Sequence, residues 1–106
     1  MFYWLTMRAP TPEYFLGAFA YFEASIPHAF ECWEQACARL DIANGRYYSE
    51  HRHIDTFHMK EMQTAIRELA NARGADYKKV WTGIRLAHET VGEAFEAAVA
   101  KARRVA

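Results

Sequence analysis

The sequence predicts an all-α protein, a helical bundle built from three long helices. Apolar residues recur at spacings of three and four along three long stretches, and no stretch alternates as a β-strand would. Turn signals separate these stretches at Asn44-Gly45 and at Gly74. With 106 residues, the chain is expected to form one small domain with a modest core. We divide it into an apolar N-terminal lead, residues 1–10, and a helical domain, residues 11–106.

Charge and hydropathy argue against several kinds of partner. Thirteen basic residues balance thirteen acidic ones, so we expect neither a nucleic-acid partner nor a membrane partner. No apolar run reaches the roughly 18 residues of a membrane span, because Glu13 and Glu23 flank and interrupt the longest one. The lead has no basic start and is followed by Arg8 and two prolines, which is not typical of a signal peptide. Cys32 and Cys37 lie on opposite sides of a helix and are typical of free thiols, so we expect a cytoplasmic protein.

The first helix is predicted to begin at a threonine N-cap followed by a proline and an acid, Thr11, Pro12 and Glu13. Its apolar stripe contains one acid, Glu23, and a carboxylate among apolar side chains must be paired, protonated or bound to a cation. Pro27 cannot donate to the Glu23 carbonyl, so we expect the helix to kink or loosen there. The alternative for Glu23 is an ion pair with an arginine, or a place at the bundle edge.

The second helix, about residues 47–72, carries a polar triplet on its core side. His51, Asp55 and His58 are spaced i, i+4 and i+7, so at about 100° per residue they lie within about 60° of one another. Two imidazoles and a carboxylate are ligands that redox-active iron and related transition metals prefer. Glu23 is the other polar group on an apolar face and becomes the fourth candidate ligand. The alternative is a polar helix face with a chance pair of histidines.

The third helix is predicted to run from an N-cap at Asp76 to about Arg104. An acidic triplet on this helix, Glu89, Glu93 and Glu96, repeats the i, i+4, i+7 spacing. It lies nearly opposite the apolar face of the helix, so we interpret it as a solvent-exposed stripe rather than a metal site.

Several stretches of the first two helices resemble the heme oxygenase-like diiron oxidase and oxygenase family. The resemblance rests on Leu16-Gly17-Ala18, Tyr21-Phe22-Glu23-Ala24-Ser25-Ile26-Pro27, Tyr47-Tyr48 and the His51-xxx-Asp55-xx-His58 spacing. In that family, a glutamate just before a proline-interrupted helix segment and a His-xxx-Asp-xx-His helix supply ligands to two irons. The resemblance implies iron, as one or two Fe²⁺ ions, and no catalytic residue beyond the metal ligands. The ligands it implies in this chain are Glu23, His51, Asp55 and His58.

The length of the chain departs from the family pattern. Family members are usually about twice as long, and their N-terminal helices contribute a further glutamate and histidine to the metal site. This chain resembles the C-terminal half of the heme oxygenase-like fold, so the missing ligands would come from a second polypeptide or another copy of this chain. The wide apolar faces also predict association, and a symmetric homodimer is its commonest form. We therefore expect a homo-oligomer or a complementary helical subunit.

The resemblance implies a non-heme iron-dependent oxidase or oxygenase. Such an enzyme activates dioxygen and acts on a small substrate, here an amino-acid-derived compound or a carboxylic acid. Two other functions stay open. One is a catalytically silent helical partner or regulatory subunit that retains part of the fold. The other is a metal-free relative that binds a small organic molecule in its cavity, as the thiaminase-like branch does.

Overall fold

The computed structural model describes residues 11–43 and 45–106 and contains the three predicted helices. They are α1 (Pro12–Arg39), α2 (Gly45–Arg73) and α3 (Tyr77–Val105). No strand occurs within the described ranges, so the all-α prediction is confirmed. The apolar lead, residues 1–10, lies outside the described residues, and so does Asn44 of the predicted turn. None of the helices described is long and apolar enough to cross a bilayer.

Most helix boundaries follow the local signals in the sequence. Extended Thr11 precedes Pro12 at the start of α1, although its hydroxyl makes no capping hydrogen bond. Gly74 follows α2 with a φ of 66°, the left-handed conformation that glycine adopts without steric cost. Asp76 caps α3, and its carboxylate accepts a hydrogen bond from the Lys78 N–H at 3.0 Å.

The boundary between the first two helices differs in detail from the sequence prediction. The second helix begins at Gly45 rather than near Tyr47, and Asp41, with a φ of 54°, reverses the chain after α1. The first helix continues through Pro27 without ending. Pro27 leaves the Glu23 carbonyl without its helical N–H donor, and α1 spans this point as a single helix.

Helix α1 is the centre of the fold. It packs against α2 along one side and against α3 along another. In the part of the chain that the structure describes, α2 and α3 do not pack against each other. The molecule is therefore an open arrangement of two helix pairs that share α1, rather than a closed bundle.

The contact between α1 and α3 depends on two glycines. A Cβ atom on Gly17 would overlap the backbone carbonyl of Val80, and one on Gly83 would overlap the backbone carbonyl of Tyr14. Ala18, beside this crossing, is completely buried. The two backbones can lie in direct contact because these side chains are absent or small.

The contact between α1 and α2 is aromatic in the middle and charged at its margin. Phe30 is the central ring of the cluster, and its ring neighbours are Trp33, Tyr47, Tyr48 and His51. At the margin, Arg52 lies 3.7 Å from Glu31 and 3.3 Å from Glu34. Ion pairs exposed in this way contribute little to stability, so the rings supply most of the attraction.

No described residue covers one face of α1 and α3. An apolar groove of about 410 Å³ runs along α1 and α3, and its wall includes Phe22, Ile26, Trp33, Val91 and Phe95. The radius of gyration is 16.4 Å. A compact domain of this length would have about 13 Å. The fold is thus more extended than a monomer with a closed core.

Candidate metal site

Three of the four predicted ligands meet between α1 and α2. Glu23, Asp55 and His58 each place one possible ligand atom within 4.8 Å of the others. Asp55 and His58 are three residues apart on α2 and share the side that faces α1, where Glu23 lies. His58 Nδ1 lies 3.1 Å from Asp55 Oδ1 and 3.3 Å from Glu23 Oε2. In the tautomer protonated at Nδ1, the imidazole donates a hydrogen bond to Asp55.

Burial in this cluster decreases from Asp55 to His58. Asp55 is 5% exposed and is the buried charged residue of the described chain. The side chain of Glu23 is 13% exposed and that of His58 is 44% exposed. The cluster is therefore closed on the Asp55 side and open to solvent on the His58 side.

Two carboxylate oxygens in the cluster lack a hydrogen-bond donor. Asp55 Oδ2 and Glu23 Oε2 are buried and accept no hydrogen bond from any described residue. His58 Nδ1 is near Glu23 Oε2, but the approach is an ionic contact rather than an aligned hydrogen bond. Buried charged oxygens without donors cost free energy, and a bound cation would remove that cost. The donor set of two carboxylates and an imidazole is one that iron accepts.

The electrostatics of the cluster also favour the binding of a proton or a cation. Burial, followed by the negative charge of Asp55, raises the pKa of Glu23 above its usual range. His58 lowers that pKa, but by less. The two acids therefore resist ionising together. Either a proton or a metal cation relieves this repulsion.

Glu23→Gln should stabilise the metal-free chain at neutral pH. Since the pKa of Glu23 is raised in the folded state, its favourable contribution is fully present below the unfolded pKa and is lost as pH rises through the folded pKa. The variant should therefore gain more free energy of unfolding at about pH 8 than at about pH 4. Urea unfolding with a chelator present measures this difference. Glu96→Gln, on the exposed face of α3, is the control. If Glu23→Gln changed the free energy of unfolding equally at both pH values, the expectation would be contradicted.

His51, the fourth predicted ligand, is not part of this group of three. Its Nδ1 is 2.9 Å from the Tyr47 carbonyl oxygen, and its ring lies 4.2 Å from the Tyr47 ring and 5.8 Å from the Phe30 ring. His51 nevertheless lies one turn before Asp55 on the same helix side. A hydrogen bond from Nδ1–H to a carbonyl selects the tautomer that leaves Nε2 able to bind a metal.

Glu61 is a further acid at the mouth of the site that the sequence analysis did not identify. The mouth is a pocket of about 230 Å³ lined by Phe19, Glu23, His58, Glu61 and Met62. After burial and Asp55, the charge of Glu61 is another cause that raises the pKa of Glu23. The available signal was its spacing, since Glu61 follows His58 by three residues on the same helix.

The other polar residues considered in the sequence lie away from this cluster. Glu89, Glu93 and Glu96 are exposed, in agreement with their interpretation as a solvated stripe. Cys32 and Cys37 are free thiols. Neither set joins the group formed by Glu23, Asp55 and His58.

Comparisons with known proteins give one result on the family of this chain. A family model described as an iron-containing redox enzyme matches residues 1–91. The matched range includes the N-terminal lead as well as the segments that carry Glu23, Asp55 and His58. Comparisons with curated proteins and with solved structures gave no match.

Proposed function

The chain belongs to the family of iron-containing redox enzymes, and from this premise we propose that Glu23, Asp55 and His58 bind iron. One observation carries the proposal. Asp55 is buried with an unsatisfied carboxylate oxygen, in contact with an imidazole and close to a second buried carboxylate. Two carboxylates offset the charge of a ferrous ion, and a neutral imidazole completes a set of donors that suits it.

The proposed activity is dioxygen-dependent oxidation of a small molecule. When bound, ferrous iron supplies the electrons with which dioxygen reacts. Asp55 and Glu23 hold the cation on the buried side, and the pocket beside His58 admits small molecules from solvent. The expected substrates are amino-acid-derived compounds or carboxylic acids. The negative charge of Glu61 at the mouth favours a substrate that carries an amino group.

We propose that another chain supplies the remaining ligands of a non-heme site with one or two ions. Three protein donors leave coordination positions open for substrate and dioxygen. Within the described residues, Glu23, Asp55 and His58 are the possible donors that converge. A second ion would require further carboxylates or imidazoles. His51 could add one imidazole from α2 if its Nε2 turns toward the cluster.

Anaerobic loading with ferrous iron tests the metal assignment. The native chain should take up stoichiometric iron, and His58→Ala should lose it, because His58 Nδ1 lies within 3.3 Å of both carboxylates. His51→Ala should weaken binding by about tenfold to a hundredfold, whether His51 binds the metal or orients the site. Metal analysis after desalting measures uptake, and circular dichroism confirms that each variant keeps its helices. Absence of iron in the native chain after loading would contradict the proposal.

The second candidate function is a catalytically silent helical subunit. The observation in its favour is that, among the described residues, α2 and α3 cover two sides of α1 and leave a further face suited to a partner. A silent subunit would bind a longer partner. Replacing Asp55 in that subunit would leave the rate of dioxygen consumption unchanged. Dioxygen uptake by the iron-loaded chain therefore distinguishes the two functions.

A further inference from the structure

We propose that the apolar N-terminal lead, residues 1–10, folds back over the groove between α1 and α3 of its own chain. The near end of this groove, toward the start of α1, includes Ser25 and Ile26. Its far end includes Trp33 of α1 and Phe95 of α3. The proposed contact requires no metal, so it stands apart from the function proposed above.

The lead and the groove are both apolar. No charged side chain lines the groove. Residues 1–7 also carry no charged side chain, and they include Phe2, Tyr3, Trp4 and Leu5. Contact between two apolar surfaces removes both from water, which is favourable. The lead therefore has the composition that the groove requires.

The chain enters α1 on the side where the groove lies. At about 100° per residue, Thr11 lies within about 60° of Ile26 around the helix axis. Thr11 is extended, and Pro12 disfavours a helical conformation at the residue before it. The lead therefore does not continue the axis of α1, and it departs from α1 beside the groove.

The lead is long enough to reach the near end of the groove. At 1.5 Å per residue along α1, Ile26 lies about 22 Å and Trp33 about 33 Å from Thr11. Aromatic residues favour extended conformations, and an extended chain spans at most about 3.3–3.6 Å per residue. Trp4 is seven residues before Thr11, so it reaches about 23–25 Å. Trp4 can therefore cover Ile26, whereas Trp33 lies beyond its range.

Tethering favours the lead over a separate chain as the occupant. A segment joined to its site by a short linker acts at an effective concentration of about millimolar. A second copy or another protein at micromolar concentration would have to bind about a thousandfold more tightly to displace it. The matched family range, residues 1–91, holds both the lead and the near end of the groove, so the two belong to one family unit.

Disulfide trapping tests the contact in the full-length chain. The two native thiols are first removed with Cys32→Ser and Cys37→Ser. Ser25→Cys, in the near end of the groove, is then combined with Tyr3→Cys in one variant and with Trp4→Cys in another. Two neighbouring lead positions are used because adjacent side chains of an extended segment point in opposite directions.

At least one of these two pairs should form a disulfide within a single chain, tenfold or more faster than a control pair. The control combines Tyr3→Cys with Phe57→Cys, since Phe57 is 55% exposed on α2 and does not line the groove. Non-reducing electrophoresis separates a disulfide within one chain from one between two chains. A disulfide between chains would overturn the assignment of the lead to its own groove. Equal rates for the groove pairs and the control pair would overturn the contact itself.

A charge in the lead should expose the groove. Trp4→Glu should increase the binding of an apolar fluorescent dye at least threefold, while circular dichroism shows that the helices remain. Arg8→Gln, which changes the lead outside its apolar residues 1–7, is the control and should bind dye as the native chain does. Unchanged dye binding by Trp4→Glu would contradict the proposal, because the groove would then be equally open in the native chain.

Discussion

Gly17→Ala should destroy the packing of α1 against α3 and unfold much of the chain. The new Cβ would overlap the backbone carbonyl of Val80, which cannot move aside as the end of a flexible side chain could. The helices would have to separate, and Ala18 and Ala87, the fully buried apolar residues of the described core, would lose their cover. We expect a loss of about 3 kcal/mol or more in the free energy of unfolding. Urea unfolding followed by circular dichroism measures it.

The chain provides a matched control for this substitution. Gly92 also lies inside α3, but a Cβ there would meet no atom within 4 Å. Gly92→Ala should raise the free energy of unfolding by about 0.5–1 kcal/mol, because alanine is the better helix former. Equal stability of Gly17→Ala and the native chain would contradict the close crossing described above.

Asp55→Asn should abolish stabilisation by iron while leaving the metal-free chain about as stable as before. Asparagine has nearly the same shape and buries no charge, so the repulsion between Asp55 and Glu23 disappears, while the contact of the Asp55 carboxylate with His58 is weakened by a similar amount. In the native chain, free ferrous iron at about one hundred times its dissociation constant should add about 2.7 kcal/mol of stability. The variant should gain almost none. Anaerobic thermal unfolding with and without ferrous iron measures both values.

Glu61→Gln is the control for the loss of a charge near the site. Glu61 lines the mouth of the pocket but is not one of the three converging residues, so most of the stabilisation by iron should remain. If Asp55→Asn kept the full response to iron, Asp55 would not be a ligand. If neither the native chain nor the control responded, the metal assignment as a whole would fail.

The helices could be predicted from the sequence because their boundaries depend on neighbouring residues. Pro12, Gly74 and Asp76 act on the backbone within a few positions, and each lies at the helix end where it was expected. The helix crossing could not be predicted in the same way. Considered in its own helix, each of Gly17 and Gly83 only lowers helix propensity. Their role becomes visible only when a second backbone lies against them.

The candidate site was partly predictable because a polar residue on an apolar face has few stable environments. That argument singled out Glu23, His51, Asp55 and His58, and all of these except His51 converge in the structure. It could not determine the direction of the His51 ring, because side-chain rotamers depend on neighbours such as Tyr47 as well as on helix spacing. It also placed His58 on the core side, whereas its side chain is 44% exposed and lines a pocket open to solvent.

The sharing of α1 by two separate helix pairs has a consequence for local unfolding. Within residues 11–43 and 45–106, α2 and α3 each pack against α1 and not against each other, so either can detach without breaking the described contacts of the other. A metal bound by Glu23, Asp55 and His58 would join α2 to α1 and leave the glycine crossing untouched. Iron would therefore protect the amides of α2 from hydrogen exchange much more than those of α3. The chain would behave as two cooperative units, and the metal would act on one of them.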